Sequence, residues 1–147
     1  MEVRAARALL EQYLNTNWSY TPIRWQNVEA VNLGSPSQPL LPQGDTNYLG
    51  VDIDLVGTRV ITVPGYCRRR FGQLIFSVFI KEASGAGLAD DYIDKLINLF
   101  EYQTFGTAPE RLRVHNVTGH VNYYVDSGWF VSQSRLAFDF NKFFSLP

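Results

Sequence analysis

The amino-acid sequence predicts an α+β domain, an antiparallel or mixed β-sheet with two main helices packed on it. Three observations carry that expectation. Two stretches place apolar residues three and four apart, as a helix face requires, whereas the other apolar stretches mostly alternate with period two, as strands do. Their order reads α, β, β, β, β, α, β, β, β, which puts strands on both sides of the second helix. Aromatic residues reach 14%, a share that favours β structure and adhesive interfaces.

Each element has its own signal. From Glu2 to about Asn15, Val3, Ala6, Leu10, Tyr13 and Leu14 line one helical face. Pro22 to Val28 reads as a first strand, with Ile23, Trp25 and Asn27 on one side. Gly34 to Thr46 holds Pro36, Pro39 and Pro42 with Gly34 and Gly44, so a long loop is expected there. Tyr48 to Val56 alternates Leu49, Val51, Ile53 and Leu55 with Asp52 and Asp54, a strand buried on one face. Arg59 to Val63 and Phe71 to Lys81 read as two further strands, joined through a basic hairpin tip that contains Cys67 and Arg68 to Arg70. Apolar residues on both sides of the second of these mark it as central. Gly85-Ala86-Gly87 interrupts the chain, and Leu88 to Gln103 then has helical spacing, with Asp90 and Asp91 expected in the first turn and Gly106 as a left-handed stop. Arg111 to Val117, His120 to Asp126 and Trp129 to Phe140 complete the strands, the last two joined by a tight turn at Asp126-Ser127-Gly128.

A length of 147 residues fits one domain spanning 1–147. With 46% hydrophobic and 18% charged residues the chain is expected to fold, and a net charge of −1 lacks the basic excess of a general nucleic-acid binder. No sequence-specific nucleic acid is therefore expected as a partner. Cys67 is the sole cysteine, so there is neither an intrachain disulfide nor a cysteine zinc cluster, and folding in a reducing interior is expected. Glu2, Arg4 and Arg7 break up the start of the chain, unlike a signal peptide. Leu74 to Ile80, the longest strongly apolar run, is far short of the ~20 residues that cross a bilayer, so no membrane partner is expected.

Four places in the sequence hold residues that could carry chemistry. Asp52 and Asp54 project from the same strand face, the geometry of a metal or acid/base pair, yet nothing in the sequence converges on them and a solvated strand face explains them. His115 and His120 are five apart across Gly119, a spacing that does not bring two imidazoles to one metal. Gly85 and Gly87 lie between strand and helix like a dinucleotide fingerprint, but Asp90 stands where the third glycine belongs. Cys67 has three adjacent arginines to lower its pKa and no identified base. The expectation is no catalytic, metal or cofactor-binding residue, hence no cofactor and no enzyme.

Charge is the more eccentric feature. Arg59 to Lys81 holds five basic residues and no acid, whereas Glu82 to Glu101 holds five acids against Lys95 alone. Solvated surfaces would explain both. The sharper reading is a head-to-tail interface in which the basic patch of one copy, Arg68, Arg69 and Arg70, meets the acidic patch of the next, Asp90, Asp91 and Asp94.

Taken together, the helix with Ala5-Ala6-Arg7-Ala8-Leu9-Leu10, the early strand Pro22-Ile23-Arg24-Trp25-Gln26-Asn27, the proline-rich loop, Tyr48-Leu49-Gly50-Val51, the strand Phe71 to Phe79 and the helix before a final β region resemble the tail-terminator proteins of long-tailed bacteriophages. The resemblance covers nearly the whole chain and rests on order and size more than on a motif. It implies a structural phage or prophage protein that caps the tail tube as a homo-oligomeric, hexameric ring, ends tube polymerisation and offers a surface for head joining. Its partners would be itself, the tail tube protein and a head-tail connector protein, in a virion tail assembled in the bacterial cytoplasm. A head-tail joining or head-completion adaptor is the alternative, followed by a small metal-dependent hydrolase or nuclease and a plain interaction domain.

Overall fold

The computed structural model describes residues 1–25, 47–60, 67–81, 85–107, 110–125 and 128–143. The expected proline-rich loop at 34–46, residues 26–28 of the expected first strand, residues 61–63 of the strand expected from Arg59 to Val63 and the first two residues of the turn expected at 126–128 lie outside the described residues. The architecture is α+β, with two helices and a six-stranded mixed sheet among the described residues.

Helix α1 spans Val3–Asn17 and buries Ala6, Leu10 and Leu14, whose spacing of four keeps them on one stripe. Helix α2 spans Ala86–Phe100 and buries Ala89, Ile93, Leu96 and Phe100. It begins two residues before the sequence-based expectation and ends three residues before it, which corrects two details. Asp90 and Asp91 lie beyond the first turn, which holds no acid, so they do not complement the helix terminus. The left-handed residue that follows the helix is Tyr102 at φ 63°, not Gly106, whose φ of 83° turns the chain after the next strand. The Glu101 amide still bonds the Ile97 carbonyl at 2.8 Å, and Tyr102 then swings the chain away.

The strands are β1 (Ile23–Trp25), β2 (Tyr48–Val60), β3 (Cys67–Lys81), β4 (Thr104–Phe105), β5 (Leu112–Val125) and β6 (Trp129–Phe143). Their order in the sheet is β1-β2-β3-β6-β5-β4, with β1 parallel to β2 and every other pair antiparallel. Two expected breaks between strands are absent: β2 runs on into the described part, 59–60, of the expected strand Arg59 to Val63, and β5 is continuous. Tyr48 to Val56 continues through Arg59 because the register shifts between Leu55 and Gly57 absorb the break in alternation. Irregularities from Val114 to Gly119 likewise fuse the two segments of β5. The basic stretch is also corrected: Cys67 to Arg70 is not a hairpin tip but the start of β3, paired with β6 throughout and with β2 from Arg68 on.

Both helices pack on one face of the sheet, over a core that includes Leu49, Val51, Leu74, Phe76, Ile80 and Phe138. Fully burying such a side chain is worth about 1.5–3 kcal/mol. Tyr13 of α1 ties the helices together: its ring meets Phe100 and Phe105 edge-on, and its hydroxyl donates to the Leu99 carbonyl at 3.0 Å. The opposite face buries a second cluster of Tyr48, Phe79, Trp129 and Val131, with Tyr48 stacked on Phe79 at 4.4 Å. β3 is thus covered on both faces, as its sequence indicated.

Candidate interaction surfaces

Strand alternation decides where the three arginines go. Arg70 pairs with Phe140, a core residue, and Arg68 pairs with Lys142, so both share the helix-covered face while Arg69 projects from the other. Arg69 Nε donates to Asn141 Oδ1 at 3.3 Å across the β3–β6 pair. Arg70 Nε is buried with no hydrogen-bond partner, while its charge acts on Glu2. Glu2 sits below the ordinary carboxylate range chiefly through its hydrogen bond and ion pair to Lys142, with Arg70 adding to it. Arg59 lies opposite Arg69 on β2. Register therefore gathers Arg59, Arg68, Arg69, Arg70 and Lys142 at the end of the sheet where β2 finishes and β3 starts.

The acidic residues separate. Asp91 Oδ2 accepts from Lys95 Nζ at 2.6 Å, one turn on, and this contact raises the lysine's pKa. Asp90 and Asp94 face another way and border a groove of about 420 Å³ between α2 and β5, floored by Ile93, Ile97 and Val117 and closed by His120. All three aspartates are exposed. Register puts Val117 and His120 level with Leu74 and Phe76, so Asp90 and Asp94 lie over the middle of the sheet, whereas Arg68 to Arg70 occupy one end of β3. Within one copy the two charge sets do not meet.

The candidate chemical groups stay apart. Asp52 is half-buried and Asp54 exposed on β2; burial raises the Asp52 pKa, the Asp54 charge adds to that and Arg7 opposes it. His115 Nε2 lies 2.6 Å from Asp139 Oδ2, while His120 Nε2 is 3.5 Å from Ser132 Oγ. Cys67 is buried. Among the described residues no group of three or more His, Cys, Asp or Glu could hold a metal ion, and no helix is long and apolar enough to cross a membrane.

Two strands also expose apolar side chains that no charge or motif marks. The second half of β5 is exposed on both faces, with Val121 53% and Tyr124 70% accessible, and β2 exposes Leu55 and Val56 in the same way. The signal in the sequence was the run Val117 to Val125, rich in valine and tyrosine and without Asp, Glu, Lys or Arg.

The fold defines the class as an α+β sheet domain with both helices on one face. No family model and no curated protein matches the chain. Eight solved chains match it, among them one that is 18% identical, superposes with a TM-score of 0.69 and shares 99% of both chains' lengths. At that identity the likeness shows the fold alone, over essentially the entire chain.

Proposed function

We propose that this chain is a structural protein of a long-tailed phage or prophage, which assembles head-to-tail into a ring that caps the tail tube, stops its polymerisation and presents a surface to the head. The observation that supports the reading is the separation of opposite charge on one domain, basic where β2 finishes and β3 starts, around Arg59 and Arg68 to Arg70, and acidic at Asp90 and Asp94, over the middle of the sheet beside Val117 and His120. Patches so placed cannot satisfy each other in one molecule and are complementary between two, in the heterologous sense that generates rings. The work is recognition, carried by surface charge and shape, with no chemical step. The resemblance in element order supplies the tail context.

Negative-stain microscopy of concentrated protein, with mass from light scattering on the same sample, tests the ring. Six-membered rings with a central hole are the expected result. Reversing Arg68, Arg69 and Arg70 to glutamate should abolish assembly; unchanged assembly and unchanged tail length in that variant would remove these residues from the interface. Finding the protein on the portal side, and absent from tails made without heads, would assign it to the connector instead.

A further inference from the structure

Among the described residues the sheet has two rims that carry no outer strand over most of their length. On its outer side β2 meets β1 only at Leu49, Gly50 and Val51, and β5 meets β4 only at Leu112 and Arg113. The Val114 amide bonds the Gln103 carbonyl and the Val117 amide reaches Glu101 Oε2, which ends the outer contacts of β5. Beyond them, Leu55 to Arg59 and Thr118 to Tyr124 pair with no outer strand among the described residues. An open rim presents a row of N–H and C=O groups ready to template another strand, and soluble proteins usually blunt it with proline, charge or brevity. Neither stretch contains proline, and the β5 stretch has no Asp, Glu, Lys or Arg while exposing Val121, Tyr123 and Tyr124.

We propose that the bare rim of β5 accepts the bare rim of β2 from a second copy of this chain, adding an antiparallel strand and joining the two sheets into one. The pairing deepens the ring-forming reading above and rests on it for the choice of a second copy as occupant. Three features of the structure fit that occupant. The four long strands run alternately up and down in the order β2, β3, β6, β5. A copy set alongside without inversion therefore brings its β2 antiparallel to β5, and keeps the helices of both copies on the same face. Next, the rims are staggered: Gly57 lies level with Arg113 through Phe71 and Asp139, whereas the bare part of β5 centres on Val121. Because the irregularities of β5 absorb two residues, overlap requires a shift of about six residue levels, or roughly 20 Å along the strands. Closing a sheet on itself requires tilted strands and a register shift of this kind. Lastly, the docked β2 runs from Leu55 towards Arg59 as β5 runs back from Tyr124 towards Val117. That direction carries the incoming copy's Arg68, which lies on the helix-covered face, towards the groove bordered by Asp90 and Asp94, while its Arg59 projects from the other face. Backbone pairing gives the affinity, and the charges fix which copy faces which way.

Proline on one rim at a time separates the two halves of the interface. Val56→Pro should block only the β2 rim and Val121→Pro only the β5 rim, with Val56→Lys and Val121→Lys as milder versions should proline unfold either strand. Each single variant should be a folded monomer by circular dichroism and light scattering, with self-association weakened roughly ten-fold or more. An equimolar mixture of the two should give a heterodimer and nothing larger, since one intact rim of each kind remains. In the wild-type chain, hydrogen-exchange protection of 55–59 and 118–124 should rise in step with mass as concentration increases. Association that leaves those amides unprotected, single variants that associate like the wild type, a mixture that stays monomeric or a wild-type chain that never associates would each overturn the proposal. The two readings fail separately: rim-paired oligomers that never cap a tail sink the tail reading alone, and tail-capping rings with unprotected rims sink the pairing alone.

Discussion

Gly72 gives the sharpest test of how the sheet is packed. It pairs with Phe138 of β6 and Leu55 of β2, and the Phe138 ring lies directly over it. A methyl group added there would come to 2.3 Å from Phe138 Cζ, 2.7 Å from its Cε1 and 2.6 Å from the Asp54 carbonyl oxygen. All three are shorter than any contact a Cβ tolerates. Phe138 is 2% exposed and cannot swing out, and the Asp54 oxygen belongs to backbone held in the ladder. Overpacking of this kind costs about 1–3 kcal/mol. Two obstructions, one of them backbone, place Gly72→Ala near the top of that range, against a gain of about 0.4–1 kcal/mol from stiffening the unfolded chain. The expected net loss is about 2 kcal/mol, or roughly 4–8 °C in Tm for a domain of this size. Urea melts followed by circular dichroism measure it. In a double-mutant cycle, Phe138→Leu should relieve part of the penalty, with a coupling of at least about 0.5 kcal/mol between the two sites. A Gly72→Ala variant as stable as the wild type would refute the packing described for β2, β3 and β6.

Other expectations follow from the same structure. Leu96 is fully buried between α2 and the sheet, so Leu96→Ala should lose about 2–5 kcal/mol in a urea melt. Asp52 has a raised pKa in the folded state; its folded form holds the proton more tightly than the unfolded chain does, so stability falls as pH climbs through that raised value. Asp52→Asn should therefore raise Tm at pH 7, and the advantage should disappear below about pH 3.9, the ordinary aspartate value; an advantage that persists there would show that the gain is not electrostatic. Asp90→Lys with Asp94→Lys changes two exposed side chains, so stability should stay within about 0.5 kcal/mol while self-association, read by sedimentation, weakens and loses its salt sensitivity.

Much of the fold was legible because burial imposes its period on the sequence. Ala6, Leu10 and Leu14 announced α1, and the apolar alternation of Leu74, Phe76, Val78 and Ile80 announced a central strand, since only that spacing puts them on one face. What failed to show was everything that depends on a partner far along the chain. The register shifts at Leu55/Gly57 broke the alternation of β2, and one strand read as two. Arg68 to Arg70 looked like a tip because charge in a basic run near Pro64 and Gly65 normally means solvent. Pairing with Lys142, Asn141 and Phe140, more than 60 residues on, is what makes it strand. β4 is two residues long, too short for any period. At the candidate interface the sign of each patch was legible but its subdivision was only half so: Lys95 one turn after Asp91 marks an ion pair, whereas the groove beside Asp90 and Asp94 needs β5 to exist. The bare rims were invisible, because an edge is a property of strand order.

That strand order also sets a folding sequence. The β2–β3 and β5–β6 pairs join neighbours in the chain, and each can close over a short loop. The β3–β6 pair at the middle of the sheet runs from Lys81 with Trp129 to Cys67 with Phe143, and all of α2 lies in between. Loop closure of that length is slow. Two hairpins should therefore form first and wait, each with an inner rim as open as its outer one, until α2 folds and lets β3 meet β6. Until β3 meets β6 both hairpins would expose strand edges on each side, the kind of surface through which chains aggregate.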